Sequence, residues 1–459
     1  MVQYPDGLPT VRTTDVLVAG GGPAGIGAAV AAARLGADVT LVEQYGVLGG
    51  MGSVGLVGPF MTSFSADGST QLIRGIFDEL VRKMVALGGA LHPKDVRGGT
   101  SHSSFITHGH DHVTPFDAEA LKFAAAELCV EAGVHLQFHS FLVDSLVEHQ
   151  RVSGVVVASK SGLGKIEAKL VIDASGDGDV AARAGAEMVK GRGSDGLMQP
   201  MTMFFRVGNV DSEKVRQWVR DHPDEKFLFS TLVEKAREAG DFSIAREKVG
   251  IYETHRPGEW RVNTSRIQKL DGTSVDDLTR GEIEGRRQVF ALMRFFHAYL
   301  PGFENAMLID TATQIGVRET RRIVGEYTLT AEDLLKSREF PDTIALCAYP
   351  IDLHSPDGKS GVMGGRPKGD WYEIPYRILV PKTLDGLLAA GRCVSATHEA
   401  AGAIRIQPPG YAMGEAAGTA AALVLRAGVQ PRAVSVPALQ RQLMRQGAWL
   451  GPRYAGVAV

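Results

Sequence analysis

Residues 15–43 read DVLVAGGGPAGIGAAVAAARLGADVTLVE. The opening run Asp15-Val16-Leu17-Val18-Ala19 is apolar and stops at glycine, the pattern of a strand buried on both faces of a parallel sheet. Gly20-x-Gly22-x-x-Gly25 follows, then an alanine-rich helical segment over 26–35 closed by Gly36, then a second apolar strand over 39–42 that ends at Glu43. Each piece has a mechanical role. Gly20 makes the turn, Gly22 lets the backbone approach a pyrophosphate, and Gly25 permits close packing of strand and helix. Pro23 and Ala24 belong to the same phosphate turn, where the helix N-terminus faces negative charge, and Glu43 can accept from ribose hydroxyls. Strand, turn, helix and acid at these distances predict a dinucleotide-binding βαβ unit.

Within this stretch, residues 16–33 carry no charge, a length that flags a membrane span. Gly20-Gly21-Gly22-Pro23 inside it and Asp15 before it speak against a continuous helix or a secretory core. Across the whole chain of 459 residues the formal net charge is −3, which argues against a general nucleic-acid binder. Glycine is the compositional outlier: 55 residues, clustered at punctuated sites rather than spread in a tract, point to tight turns and close backbone approach to a ligand. Collagen-like, disordered and disulfide-scaffold classes are excluded. Cys129, Cys347 and Cys393 form no CxxC pair, so thiolate-held iron–sulfur clusters and structural zinc are excluded as well, and a reducing compartment is expected. The expectation is a cytoplasmic protein of two to four domains, with no nucleic-acid or membrane partner.

A second glycine cluster follows the ribose acid at once. Residues 44–60, QYGVLGGMGSVGLVGPF, hold Gln44, Gly49, Gly50, Met51 and Gly52. A nicotinamide dehydrogenase has no need of it, whereas a flavoprotein runs its chain here along the diphosphate toward the isoalloxazine. The sequence resembles the glutathione-reductase-like flavoprotein superfamily. Residues 170–186, LVIDASGDGDVAARAGA, are similar to its third cofactor turn, with Ala174, Ser175 and Gly176 beside the cofactor. Residues 384–423 are similar to its returning strand and helix, with Gly391, Arg392, Gly410, Tyr411 and Ala412 at the flavin. Together with VRETRRIVGEYTLT from Val317, the pattern most resembles the FAD-dependent oxidoreductase family related to the fumarate reductase flavoproteins.

The resemblance implies an α/β fold: a Rossmann-like, three-layer ββα FAD-binding domain with an inserted mixed α+β substrate domain. The expected division is 1–198 and 350–459 for the FAD-binding domain and 199–349 for the substrate domain. A helix over 116–133, strands over 135–147 and 152–158, and a return over 168–173 match the meander that covers the adenine, where Leu142 falls at the adenosine-contacting backbone. In the inserted part, strands are expected over 203–207 and 260–263, with a long amphipathic helix over 280–300. FAD is expected to be held non-covalently, because positions 44–52 offer no His or Cys for attachment.

With one dinucleotide fingerprint and no redox CxxC, hydride is expected to pass directly between a small organic substrate and flavin N5. Oxygen or an electron carrier then reoxidises the flavin. Class A monooxygenases carry an Asp where this chain has Arg392, which counts against hydroxylation. Other readings are an ene-reductase, a non-catalytic flavin-binding subunit of a larger complex, and an NAD-dependent dehydrogenase. A homo-oligomer is compatible with all of them. His398 and Arg405 lie where the family chain crosses the flavin face, so the His is read as proton acceptor and the Arg as carboxylate clamp. Arg318, clustered with Arg321 and Arg322, is the third catalytic candidate. Asn263 and Arg266 are candidate substrate contacts. The loop SHSSFITHGHDH holds His102, His108, His110 and His112. It has no tetrahedral ligand spacing, so no metal is expected. The segment 90–115 is read as a lid that would bring His102 and His108 to the substrate.

Overall fold

The computed structural model describes residues 7–96, 112–225, 227–356, 361–363, 365 and 367–455. Its centre is a seven-stranded sheet built on β1 (Thr10–Ala19), β2 (Val39–Val42), β3 (His135–Gln137), β4 (Phe141–Glu148), β5 (Arg151–Ser159) and β6 (Gly162–Asp173). The order is β3-β2-β1-β6-β5-β4, with the strand Leu387–Ala389 also paired to β6. β3, β2, β1, β6 and Leu387–Ala389 run parallel, while β5 and β4 return antiparallel. β6 is long enough to serve two partners. Its first half, to Glu167, pairs with β5, and Val171–Asp173 pairs with the strand from the far end of the chain. Val16, Leu17, Val18 and Ala19 are fully buried, as a strand covered on both faces requires. The fold is the α/β Rossmann-like arrangement.

The helix α1 (Pro23–Arg34) begins three residues earlier than its apolar pattern suggests, because Pro23 sits in the first turn, where its missing N–H costs nothing. Its alanines let a second helix, Gln407–Ala427, approach to backbone contact. A methyl on Gly414 would lie 2.0 Å from the Ala24 carbonyl oxygen, and one on Gly418 2.1 Å from that of Ala28. That close pairing aligns the N-termini of both helices at the C-terminal end of β1, the edge where parallel sheets bind ligands.

Residues 205–311 contribute a separate antiparallel sheet in the order Met307–Thr311, Phe205–Gly208, Trp260–Val262, Ile251–Glu253. The helix Val275–Tyr299 covers it, and Phe205, Trp260, Phe295, Phe296 and Phe303 form its core. This helix starts five residues before the expected 280. Ser274 caps it by accepting from the Asp277 N–H, and Asp276 and Asp277 complement its dipole, a polar start that hydrophobic periodicity does not register. Among the described residues no helix is long and apolar enough to cross a membrane.

Candidate functional site

A cavity of about 740 Å³ runs from the glycine turns to the edge of the second sheet, at Phe204, Gly250 and Asn263. At one end its wall is Gly20, Gly22, Pro23, Ala24, Glu43 and Gln44, then Gly50 and Met51, Ala174 to Gly176, Gly391 and Arg392, and Gly410. Gly22 is the N-cap of α1 and offers no side-chain cap, and Ile406 likewise leaves the start of Gln407–Ala427 uncapped. Both helices therefore turn positive dipole ends toward one cleft, α1 with the N–H groups of Ala24 and Gly25 and the second helix, with Pro408 and Pro409 in its first turn, with that of Gln407 alone, which suits a diphosphate and an electron-rich ring edge. A methyl on Gly22 would meet nothing nearer than the Gly50 Cα at 3.9 Å, so the space there is open. The residues present fit FAD.

Glu43 is buried, and its two oxygens accept from the backbone N–H groups of Gly21 (2.7 Å) and Tyr45 (2.9 Å). It braces the glycine loop in addition to facing the cleft. Burial raises its pKa against these hydrogen bonds. Arg392 acts as a structural tie. Its Nε donates to the Gly176 carbonyl at 3.0 Å, one terminal nitrogen meets Asp177 at 2.5 Å, and the other donates to the Val317 carbonyl. The turn at Gly176 and Asp177 is thereby joined to the chain at Val317, which an Asp at this position would not do.

Six of the expected cofactor residues stand off the cavity wall. Gly25 packs against the turn itself, a methyl there falling 1.8 Å from the Gly20 carbonyl oxygen. Gly49 donates its N–H to the Gly21 carbonyl at 2.9 Å, and a methyl on Gly52 would collide with the Gln407 side chain. Tyr411 is fully buried against Phe60 and Phe77. Ala412 faces the far side of its helix, in a small crevice with Arg74 and Trp449. Leu142 lies in β4 opposite Val157 and packs on the core of the meander. Helical periodicity turns Tyr411 and Ala412 away while Gly410 faces the cleft, and no residue of β4 reaches it.

The inner end of the cavity is polar and cationic. Arg318, Arg266, Asn263 and Arg405 all line it, joined by Arg246, Tyr349, Asp352 and His354. Arg318 donates to the Pro200 carbonyl (2.6 Å), Thr202 Oγ1 (2.7 Å) and Asn263 Oδ1 (3.2 Å). Arg266 donates to the same Thr202 oxygen (3.0 Å), the Ser265 carbonyl (2.9 Å) and His354 Nδ1 (3.2 Å). Arg405 reaches the Asp352 carbonyl (3.2 Å) and Gln199 Oε1 (3.4 Å), and its guanidinium lies 3.7 Å from the Asp352 carboxylate. Burial, then the charge of Arg318, holds His354 well below the usual histidine range, so its imidazole is neutral. Burial works to raise Asp352, but His354, Arg405 and Arg318 outweigh it and hold the carboxyl well below its usual value. Burial, then repulsion from Arg405 and Arg246, pushes Arg318 down to about 9, and burial pushes Arg246 down to about 10.

His398 is the main correction. It sits in the first turn of the helix His398–Ile404, buried, with Nδ1 2.8 Å from Glu319 Oε1, and it is absent from the cavity wall. Glu319 also pairs with Arg322 and accepts from the Gln199 N–H at 3.2 Å. This buried carboxylate requires its partners, and His398 is turned to supply one. Of the three clustered arginines, Arg318 alone enters the cavity. Arg321 is held by Asp179 and the Asp177 carbonyl, and Arg322 by Glu319 and the carbonyls of Gly191 and Ala396.

His102, His108 and His110 lie outside the described residues, as does most of the segment read as a lid. His112 is described: it is buried, its Nδ1–H donates to the Pro93 carbonyl at 2.9 Å, and it stacks on Phe64. Among the described residues no group of three or more His, Cys, Asp or Glu is placed to hold a metal ion. The reading of the sequence missed Arg246, Tyr349, Asp352 and His354. Arg246 stands in a charged run that reads as surface. Asp352 and His354 carried a usable signal, since residues two apart on a strand share a face.

A family model for FAD-dependent oxidoreductases matches residues 15–443. Thiamine thiazole synthase of Aeropyrum pernix is 33% identical over 185 residues, 38% of this chain, and the chain spans 58% of that protein's length. Among solved structures, a geranylgeranyl bacteriochlorophyll reductase-like protein from Thermoplasma acidophilum aligns at 15% identity over 95% of this chain and 82% of its own, with a TM-score of 0.42. The p-nitrophenol 4-monooxygenase of Pseudomonas putida aligns at 12% identity over 95% and 85%, with a TM-score of 0.47. From its first buried strand to its closing helix, then, the chain belongs to the FAD-dependent oxidoreductase family and is an enzyme whose cofactor is FAD.

Proposed function

We propose that the chain is a dehydrogenase or oxidase of the glutathione-reductase-like superfamily, related to the fumarate reductase flavoproteins, that oxidises a small organic substrate. When bound, non-covalently, FAD supplies a hydride acceptor at its N5 atom. The observation that carries the reading is the continuity of one cavity between the glycine turns and the arginine-lined inner end. A substrate seated at that end would lie beside the cofactor with no domain movement. Gly22 and the two uncapped helix starts hold the diphosphate and ring edge, while Arg318, Arg266 and Arg405 orient the substrate through charge-assisted hydrogen bonds. Asp352 and the neutral His354 hold these arginines in place, His354 Nδ1 accepting from Arg266 and the Asp352 carboxylate lying 3.7 Å from Arg405. Oxygen or an electron carrier completes the cycle.

The test is the visible spectrum of the purified protein, followed by anaerobic addition of hydroxy acids, amines, sugars and phenols. Flavin absorption bleached by one substrate class supports the reading, and release of the yellow colour on acid precipitation supports non-covalent FAD. A flavin that no donor bleaches but that a reduced carrier does would overturn it in favour of a reductase or monooxygenase.

A further inference from the structure

Two exposed helix faces repeat one pattern with opposite charge. On the helix Ala118–Glu131, Phe123, Glu127 and Val130 stand at positions i, i+4 and i+7. On the helix Val275–Tyr299, Ile283, Arg287 and Phe290 have the same spacing. Each trio therefore forms one outward stripe. The four apolar members are 51% to 59% exposed. The reverse face of each helix is in a core, through Leu121 and Leu128 on one and Val289 and Phe296 on the other. A lone exposed apolar side chain needs no explanation, but pairs of them spaced to one helical stripe do.

The central charges are open to a partner. Among the described residues Glu127 meets no cation, while its neighbours Glu119 and Glu131 are met by Lys122 and Lys83. Arg287 lies 3.7 Å from Glu284 in a loose surface pair, and Arg294, one turn further along the stripe, meets no acid among the described residues. Each stripe also runs on into a second apolar surface. Beyond Phe123, toward the start of its helix, the exposed Leu87 and Leu91 flank Gly89, whose carbonyl accepts from the Asp117 N–H at 2.7 Å. Beyond Arg294, toward the end of its helix, His297 Nε2 donates to the Ala306 carbonyl at 2.8 Å, beside the exposed Met307 of the edge strand Met307–Thr311.

We propose that the chain self-associates, the acidic stripe of one copy seated on the basic stripe of a second. Each stripe supplies what the other lacks, and every copy carries both. Like helix on like helix would set Glu127 against Glu127, or Arg287 against Arg287, within an apolar contact, and that repulsion selects the unlike pairing. The helices pack antiparallel, Phe123 on Phe290, Glu127 against Arg287 and Val130 on Ile283. In that direction the Leu87–Leu91 turn comes over Met307, so both apolar extensions are covered as well. Made twice about a two-fold axis, the contact closes a dimer; repeated in any other way, it builds a ring or a chain.

The experiment is sedimentation velocity on the full chain over a wide range of concentrations. The expected result is a species larger than the monomer that dissociates on dilution. Glu127→Lys and Arg287→Glu should each weaken the assembly about tenfold or more, as should Phe290→Ser. All three positions are off the cavity wall, so FAD content should stay at the parent level. An equimolar mixture of Glu127→Lys and Arg287→Glu chains sets opposite charges at both contacts and should recover the parent assembly. A monomer at every concentration would overturn the proposal. So would an assembly indifferent to either charge reversal, which would place the interface elsewhere, or a mixture no better associated than the single variants, which would deny that Glu127 and Arg287 face each other.

Discussion

Arg318 and Arg322 are four residues apart and both buried, yet they belong to opposite kinds of charge cluster. Arg322 is closed into a neutralised group with Glu319 and His398, remote from the cavity wall. Arg318 stands among three other arginines with one carboxylate, and its contacts are to carbonyl, hydroxyl and amide oxygens. The first cluster is complete without a ligand, and the second is not. Burial and residue type alone do not separate a structural charge from a working one; the balance of partners does so only together with a place on the cavity wall, since Arg261, buried against Phe116 and off that wall, has no acid partner either.

The largest effect should come from opening the balanced cluster. Glu319→Ala leaves Arg322 buried without its carboxylate and is expected to cost roughly 3–5 kcal/mol in denaturant unfolding. The same cluster predicts acid sensitivity. Although burial works to raise it, the Glu319 pKa is held below its unfolded value by His398 and Arg322. Its stabilisation is therefore present above the unfolded pKa of ~4.5 and lost as pH falls through the lower, folded value. Opposite behaviour is expected at the unbalanced cluster: Arg318→Met should leave stability near that of the parent while slowing anaerobic flavin reduction by roughly a hundredfold, a loss of about 3 kcal/mol. If the stabilities of these two variants fall together, the distinction fails.

His398→Ala sharpens the comparison further. It removes one hydrogen bond from Glu319 and should cost about 1–3 kcal/mol of stability while flavin reduction by substrate stays close to the parent rate. A collapse of the rate with stability intact would return His398 to the chemistry. The glycine turn offers a parallel contrast. Gly25→Ala meets the Gly20 carbonyl and should destabilise the fold by about 1–3 kcal/mol, whereas Gly22→Ala points into open space and should lower FAD occupancy with little change in unfolding. The last contrast concerns a third kind of buried charge. Glu415 accepts from the Ile76 N–H at 3.2 Å, its other oxygen has no partner, and burial raises its pKa to about 8. Its protonated form is the folded one, so stability should fall as pH rises from ~4.5 through about 8, and Glu415→Gln should remove that slope, a matter of roughly a few degrees in Tm.

What was legible in the sequence was what short-range pattern encodes. The strand Val39–Val42 appears where its apolar run ends, and the helix Ala118–Glu131 begins at Asp117, whose side chain accepts from the Glu119 N–H. The glycine turns, Arg318, Arg405, Asn263 and Arg266 also arrive at one cavity. The rest depends on partners far along the chain. Arg392 is explained by Asp177, 215 residues away, and His398 by Glu319, 79 residues away. No local pattern announces that a histidine in a family-like position has been claimed by a distant acid. His354 and Asp352 became visible as site residues only when a short strand carried them against arginines drawn from four separate segments.

The backbone contact between α1 and Gln407–Ala427 also has a consequence for synthesis. The phosphate turn and α1 leave the ribosome well before the surface that closes over them, which is made nearly 400 residues later together with the strand Leu387–Ala389 that completes β6. Until that later portion emerges, the exposed alanine face of α1 has nothing to bury it, and the nascent chain has no closed cleft to retain a dinucleotide. Cofactor loading is thereby deferred until the helix Gln407–Ala427 is out, and any product truncated before it is released empty.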